Sequence, residues 1–209
     1  MKLEDWFLRF YYPIVSEFGY SVAEDAESTR VLAEVAELES FDILKKFEGR
    51  KAYVIGNAPG KVELSYTDEE LVITAGKAVL NYDGKIDIHV TDLDEGFRAL
   101  CKIADEAVLI VHAHGDNVRL VKDYLPSLGK VIGTTQYMPF GRIVNPCGFT
   151  DGDRAALIAS SFARDVELVN FDFSTAENEV KLRKLKWARR ILEFEGILRR
   201  NSRIRVQSQ

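Results

Sequence analysis

Apolar side chains along this chain change their period once, near Gly49. From Lys2 to Glu48 they recur at helical spacing, as in Val31, Leu32, Val35, Leu38 and Leu44, with acids between them and Pro13 as an interruption. That spacing predicts an amphipathic helical segment. Short apolar runs rich in branched residues follow: Ala52 to Ile55, Leu71 to Thr74, Ile86 to Val90, Ala107 to Val111, Lys130 to Gly133 and Val166 to Phe171. Runs of that length read as strands buried on both faces of a parallel sheet. Helical patterns lie between several of them, at Glu95 to Asp105, Asn117 to Leu128 and Asp151 to Ala163, and a long basic amphipathic helix over about Glu177 to Arg200 closes the series. Alternation of this kind predicts an α/β fold, a doubly wound, mainly parallel Rossmann-like sheet with an amino-terminal helical segment. The period change divides the chain into a helical part, 1–48, and an α/β domain, 49–209, with no repeat or low-complexity linker to suggest another border.

Composition narrows the class. The chain has 209 residues, 46% apolar and 29% charged, which suits one globular domain with a small appendage and excludes disorder as its main state. The apolar stretch Trp6 to Val15 is broken by Arg9 and preceded by Glu4 and Asp5, with no small-residue cleavage site after it, so neither a signal peptide nor a membrane span is expected, and the protein belongs in the cytoplasm. Two cysteines, Cys101 and Cys147, are too few for a disulfide framework and read as reduced thiols. A formal charge of −5 argues against a nucleic-acid surface, although Lys181 to Arg205 is strongly basic. The aromatic run Trp6, Phe7, Phe10, Tyr11 and Tyr12 suits a homodimer contact or a cover over the core.

Ligands of an open parallel sheet sit beyond the carboxyl ends of its strands. The expected strands are followed by Gly56-Asn57-Ala58-Pro59-Gly60, Ala75-Gly76, Thr91-Asp92-Leu93-Asp94, His112-Ala113-His114-Gly115-Asp116-Asn117, Thr134-Thr135-Gln136 and Asp172-Phe173-Ser174, so polar groups gather on one rim. The first loop lets backbone amides approach phosphate, but it lacks the spacing of the dinucleotide fingerprint and of the P-loop, and a tight strand exit accounts for it equally well. Asp92 and Asp94, two apart at a strand end, offer one side the hard oxygen ligands magnesium prefers; helix capping by Asp94 is the alternative. Alternation places His112, His114 and Asp116 on a common face. A zinc site there lacks a third ligand, because His89 follows no motif; oxygen ligation by Asp116, with the histidines polarising phosphate or orienting carboxylates, fits better. In Phe149-Thr150-Asp151-Gly152-Asp153-Arg154, Thr150 is a natural helix cap, and Asp151, Asp153 and Arg154 are left to pair or to meet a ligand. Lys181, Arg183, Lys184, Lys186, Arg189 and Arg190 form either a solvated face or a counter-charge for a triphosphate.

Taken in order, Asn57-Ala58-Pro59, Thr91-Asp92-Leu93-Asp94, His112-Ala113-His114-Gly115-Asp116-Asn117, Thr134-Thr135-Gln136, Gly148-Phe149-Thr150-Asp151-Gly152-Asp153-Arg154-Ala155 and Lys181-Leu182-Arg183-Lys184-Leu185-Lys186-Trp187-Ala188 resemble the archaeal MptE-like family of 6-hydroxymethyl-7,8-dihydropterin pyrophosphokinases. The resemblance covers about Lys51 to Arg190. It departs at the glycine-poor exit loop, at the short connection to the second strand and at Pro146-Cys147.

The resemblance implies a fold similar to the catalytic domain of thiamine pyrophosphokinase, Mg2+ with ATP as co-substrate, and a place in pterin biosynthesis leading to tetrahydromethanopterin or folate-type carriers. It implies that Asp92, Asp94 and Asp116 hold metal and phosphates, and that Asp151, Asp153 and Arg154 line the same site. On that reading Asp92, His112, His114 and Asp116 carry catalysis. Asn57, Thr134, Thr150, Lys181 and Lys184 join them around the nucleotide. For the pterin, the rim offers Asn117, Thr135, Gln136 and Phe149 for stacking and hydrogen bonds; Asn117 as a helix cap, Phe149 as a core residue and Gln136 as a loop residue are equal alternatives. Other acceptors such as thiamine, hydrolysis at a metal-bound water, and a nucleotide-binding module without turnover are the competing readings.

Overall fold

All six expected strands form, as the computed structural model describes for residues 1–200; residues 201–205 of the basic segment lie outside the described range. They are β2 (Lys51–Ile55), β3 (Leu71–Ala75), β4 (Ile88–Thr91), β5 (Val108–Ala113), β6 (Lys130–Thr135) and β7 (Asp165–Val169). A seventh, β1 (Glu37–Leu38), arises inside the segment expected to be helical. It pairs in parallel with the start of β6, Glu37 opposite Lys130 and Leu38 opposite Val131. Gly133 makes room for it, since a Cβ there would lie 2.8 Å from a Leu38 methyl. The strand order is β1-β6-β5-β4-β3-β2-β7 in a parallel sheet with helices on both sides.

Helices fill the connections where the apolar period predicted them: α4 (Phe97–Ala104), α5 (Val118–Tyr124), α6 (Asp151–Ser160) and α7 (Glu179–Phe194), followed by the short α8 (Ile197–Arg200). Ahead of the sheet come α1 (Leu3–Asp5), a π-helical turn over Trp6–Tyr11, α2 (Tyr12–Phe18), which ends at Gly19 with φ +70, and α3 (Val22–Val35), capped by the Ser21 side chain on the Glu24 N–H. The wider π-turn sets Trp6, Phe10 and Tyr11 inward as buried side chains and leaves Tyr12 half exposed. Part of the aromatic run therefore covers the core.

The chain forms two compact units, one of Met1–Ile43 with Thr91–Cys147, the other of Leu44–Val90 with the chain from Gly148 onward. In the first, Leu109, Val111 and Ala113 of β5 and Val131 of β6 pack with Val31 and Leu32 of α3, Leu100 of α4 and Val121 of α5. In the second, Tyr53, Ile55, Val72 and Val169 pack beneath Val62, Ala78 and Tyr82 of the β2–β3 and β3–β4 connections, while α6 lies against β2, β3 and β7. Among the described residues no helix is long and apolar enough to cross a membrane.

Candidate active site

The first unit gathers the loops that follow β4, β5 and β6. Strand alternation stops at Thr91. Leu93, although buried, has φ +75, a left-handed conformation rare for a branched apolar residue and concentrated at functional turns. Thr91 holds that turn, its Oγ1 accepting the Leu93 N–H at 2.7 Å and donating to Glu95 Oε2 at 2.6 Å. The orientations of Asp92 and Asp94 are thus set by a turn and not by the pleat from which a common side was expected. Gly96, with φ +93, occupies the cap position of α4 and has no side chain to cap it, so Asp94 is not itself the cap residue. Asp94 is exposed in the turn.

His112 and His114 share a face as expected, their rings 5.8 Å apart and inclined by 26°. Asp116 reaches them by a different route, on a single 3-10 turn (Gly115–Asn117). The His114 imidazole stands between two carboxylates, with Nε2 3.7 Å from Asp92 Oδ2 and Nδ1 4.0 Å from Asp116 Oδ2. Asp116 is largely exposed and Asp92 about one-third exposed. His112 is buried, its Nδ1 3.2 Å from Thr134 Oγ1. Thr134 also donates its hydroxyl proton to Val111 O, which leaves its oxygen to accept from the ring.

The remaining predicted residues of this rim organise it. Asn117 is buried and brackets two loops, donating from Nδ2 to Asp92 O and His112 O while Oδ1 accepts the His114 N–H. Thr135 is buried, its Oγ1 2.7 Å from Thr29 Oγ1 and accepting the Tyr137 N–H. Gln136 donates from Nε2 to Asp25 Oδ2, and its carbonyl accepts from Trp6 Nε1. Asp25 was not singled out from the sequence, and Tyr11 and Trp6 only as members of the aromatic run. The available signal was position: Asp25, Thr29 and Leu32 are four and three residues apart, so the acid lies on the apolar stripe of α3. Burial, then the neighbouring Asp25, pushes the Tyr11 phenol well above its usual range.

A second cluster belongs to the other unit. Asp153 closes a capping box with Thr150 at the start of α6. Its fully buried carboxylate accepts the N–H groups of Phe149 and Thr150 and the Thr150 hydroxyl, at 2.8, 2.7 and 2.5 Å. Burial pushes this carboxyl up, against the opposing pull of those donors and of Arg154. Arg154 is buried as well, with Nη1 3.2 Å from Asp151 Oδ1 and Nη2 donating to Gly148 O. Asp151 lies against Gly76, where a Cβ would come within 2.7 Å of Oδ2. Lys184 sets its ammonium 5.8 Å from the centre of the Phe149 ring, whereas Lys181 is exposed, its backbone N–H capped by Asn178. The Gly56–Ala58 turn is tied to Asn170, which has φ +56, and exposed Asn57 accepts from Asn81. His89 is buried, with Nδ1 2.8 Å from Thr74 Oγ1.

Among the described residues no three His, Cys, Asp or Glu side chains close on a common point. Magnesium does not require that: it commonly takes one or two protein carboxylates, with waters and substrate phosphates completing the octahedron. The carboxylates nearest the His114 ring are Asp92 at Nε2 and Asp116 at Nδ1.

No protein-family model matches the chain. Curated relatives match it from end to end. A 6-hydroxymethyl-7,8-dihydropterin pyrophosphokinase of Pyrococcus furiosus is 36% identical, covering 99% of this chain and 98% of the relative. The chain belongs to the 6-hydroxymethyl-7,8-dihydropterin pyrophosphokinase family. Pyrophosphokinases of the same name from Methanothermobacter thermautotrophicus and Methanocaldococcus jannaschii are 31% and 29% identical, over 99% and 93% of this chain and 99% and 95% of their own. Matches of that extent embrace both units, so kinship with these pyrophosphokinases takes in both polar clusters.

Proposed function

We infer that this chain transfers the pyrophosphoryl group of ATP to 6-hydroxymethyl-7,8-dihydropterin, releasing AMP. The observation that carries the inference is end-to-end similarity to pyrophosphokinases of that name, up to 36% identity with both polar clusters inside the matched region. In the reaction the hydroxymethyl oxygen of the pterin attacks the β-phosphorus, the bond from that phosphorus to the α-phosphate bridging oxygen breaks, and AMP leaves with the electron pair. Little protein covalent chemistry is needed, so catalysis rests on positioning and on balancing charge.

Asp92 and Asp116 would hold Mg2+, with Asp94 in the same turn as Asp92; the bound ion supplies charge neutralisation on the phosphate oxygens. His114 accepts the Asp116 N–H at Nδ1 and turns Nε2 toward Asp92, a placement that suits orienting that carboxylate and countering charge on the phosphates. His112 stands behind it, fixed by Thr134. Asn117 and Thr91 hold the loops that aim these groups. In the second unit, Asp151 pairs with Arg154, and Lys184 lies by the Phe149 ring next to the Thr150 turn. Cys101 and Cys147 are thiols and not a disulfide, which suits a cytoplasmic setting.

The test is AMP formation from ATP and magnesium, with and without the pterin, following the pterin product by mass. AMP and pterin diphosphate rising together are expected. AMP release indifferent to acceptor would mean hydrolysis, and turnover only with thiamine or a sugar would mean that the phosphate machinery is right and the acceptor wrong.

A further inference from the structure

The first unit buries an acid that this reaction scheme leaves unused. Asp25, on α3, is 2% exposed. Its Oδ1 accepts the Gly115 N–H at 2.9 Å, in the turn that carries Asp116. Its Oδ2 accepts the Tyr11 hydroxyl and the Gln136 side-chain NH2, both at 2.8 Å. A carboxylate only accepts, so the face of the Gln136 amide turned toward Asp25 must be its nitrogen. The amide oxygen is thereby turned away. No hydrogen bond to Gln136 Oε1 occurs among the described residues, and that oxygen is not among the buried unsatisfied atoms. The Trp6 Nε1–H on Gln136 O holds the backbone of the same residue at 2.8 Å. Gln136 directly follows β6, at the strand edge where ligands of parallel sheets bind.

We infer that Asp25 is a positioning residue that fixes Gln136 as a hydrogen-bond acceptor for the donor edge of the pterin, the amino and ring N–H groups of its pyrimidinone. The inference rests on the pterin being the acceptor substrate. Its chemistry is polarity: an acceptor held outward suits a donor edge, and a donor held outward leaves that edge unpaired, the kind of mismatch that discriminates strongly.

Asp25→Asn separates this role from a merely structural one. The substituted amide would keep its oxygen on the Gly115 N–H and turn its NH2 toward Gln136 and Tyr11. The Gln136 amide then flips to accept from it, presenting NH2 outward, and the Tyr11 hydroxyl rotates to accept as well. Every buried group stays bonded while the polarity shown to the pterin is inverted. The pterin KM should rise at least about tenfold with the ATP KM within about twofold of wild type. Gln136→Met, which offers no acceptor, should raise the pterin KM similarly, and the double variant should be no worse than Gln136→Met alone. An Asp25→Asn effect that persists undiminished in the Gln136→Met background, or that falls equally on both substrates, would overturn the assignment. So would a Gln136→Met protein with an unchanged pterin KM, a result that stands even if Asp25→Asn fails to fold. Wild-type protein without pterin-dependent AMP would instead bring down the acceptor reading, and this inference with it.

Discussion

Removing the Asp153 carboxylate isolates what the Phe149–Asp153 turn contributes. In Asp153→Ala the N–H groups of Phe149 and Thr150 and the Thr150 hydroxyl lose their acceptor together. A buried donor left unsatisfied costs about 1–3 kcal/mol. Phe149 and Thr150 are partly buried, so the lower half of that range applies to each amide, and the two together give about 3 kcal/mol. For a chain of this length each kcal/mol moves the melting temperature by about 2–4 °C, which predicts a drop of about 6–12 °C. Asp153→Asn keeps one oxygen for Thr150 but turns an NH2 toward the Phe149 N–H, so about half that loss is expected. Thermal unfolding by circular dichroism reads both values. Measuring the ATP KM at the same margin below each melting point then tests function: a residue acting through the turn should raise it more in Asp153→Ala than in Asp153→Asn. An Asp153→Ala protein melting within about 1 °C of wild type would refute the reasoning, and Asp153→Asn with a raised ATP KM and unchanged melting would mean that the carboxylate meets the nucleotide directly.

Two further changes test separate steps. Asp116→Ala removes a largely exposed side chain, so melting should shift by no more than about 0.5 kcal/mol in stability, while magnesium-dependent AMP release should fall at least about a hundredfold; full turnover by the folded variant would remove Asp116 from the site. Asp172 receives hydrogen bonds from Ser174 and Thr175, which hold its carboxyl down at about 2. A depressed carboxyl contributes stability above its unfolded value, near 4, and loses it as pH falls toward about 2. Denaturant unfolding should therefore show a shallow decline of stability across that window, small because the group is largely solvated, and Asp172→Ala should flatten it.

Strands were the most legible part of the fold, because a strand buried on both faces writes its whole length in branched apolar residues, as Val54-Ile55 and Leu71-Val72-Ile73 do. Glu37–Leu38 carries no such signature. It becomes β1 only because β6 offers an unpaired edge and Gly133 leaves room for Leu38, a fact of distant residues. The π-turn at Trp6–Tyr11 is hidden for a similar reason, since tertiary demand on Trp6 and Tyr11 sets it. In the candidate site, residue types and loops were readable but orientations were not. Asp92 and Asp94 look like neighbours on one pleat until Leu93 turns left-handed between them.

Asp25 and Asp153 show what spacing alone does not reveal about an acid. Both are buried, and each accepts three hydrogen bonds from side chains or backbone of its own unit. Turning either carboxylate toward a cation would strand those donors, at about 1–3 kcal/mol each, before any ligand contact formed. Asp116 faces water and gives up only hydration when it meets an ion. The first unit therefore keeps two kinds of acid with opposite tasks: Asp25 directs its charge at the backbone of the Gly115 turn, and that turn carries Asp116 outward. The rim acid can be exposed and still well aimed because the acid beneath it is buried and fully bonded.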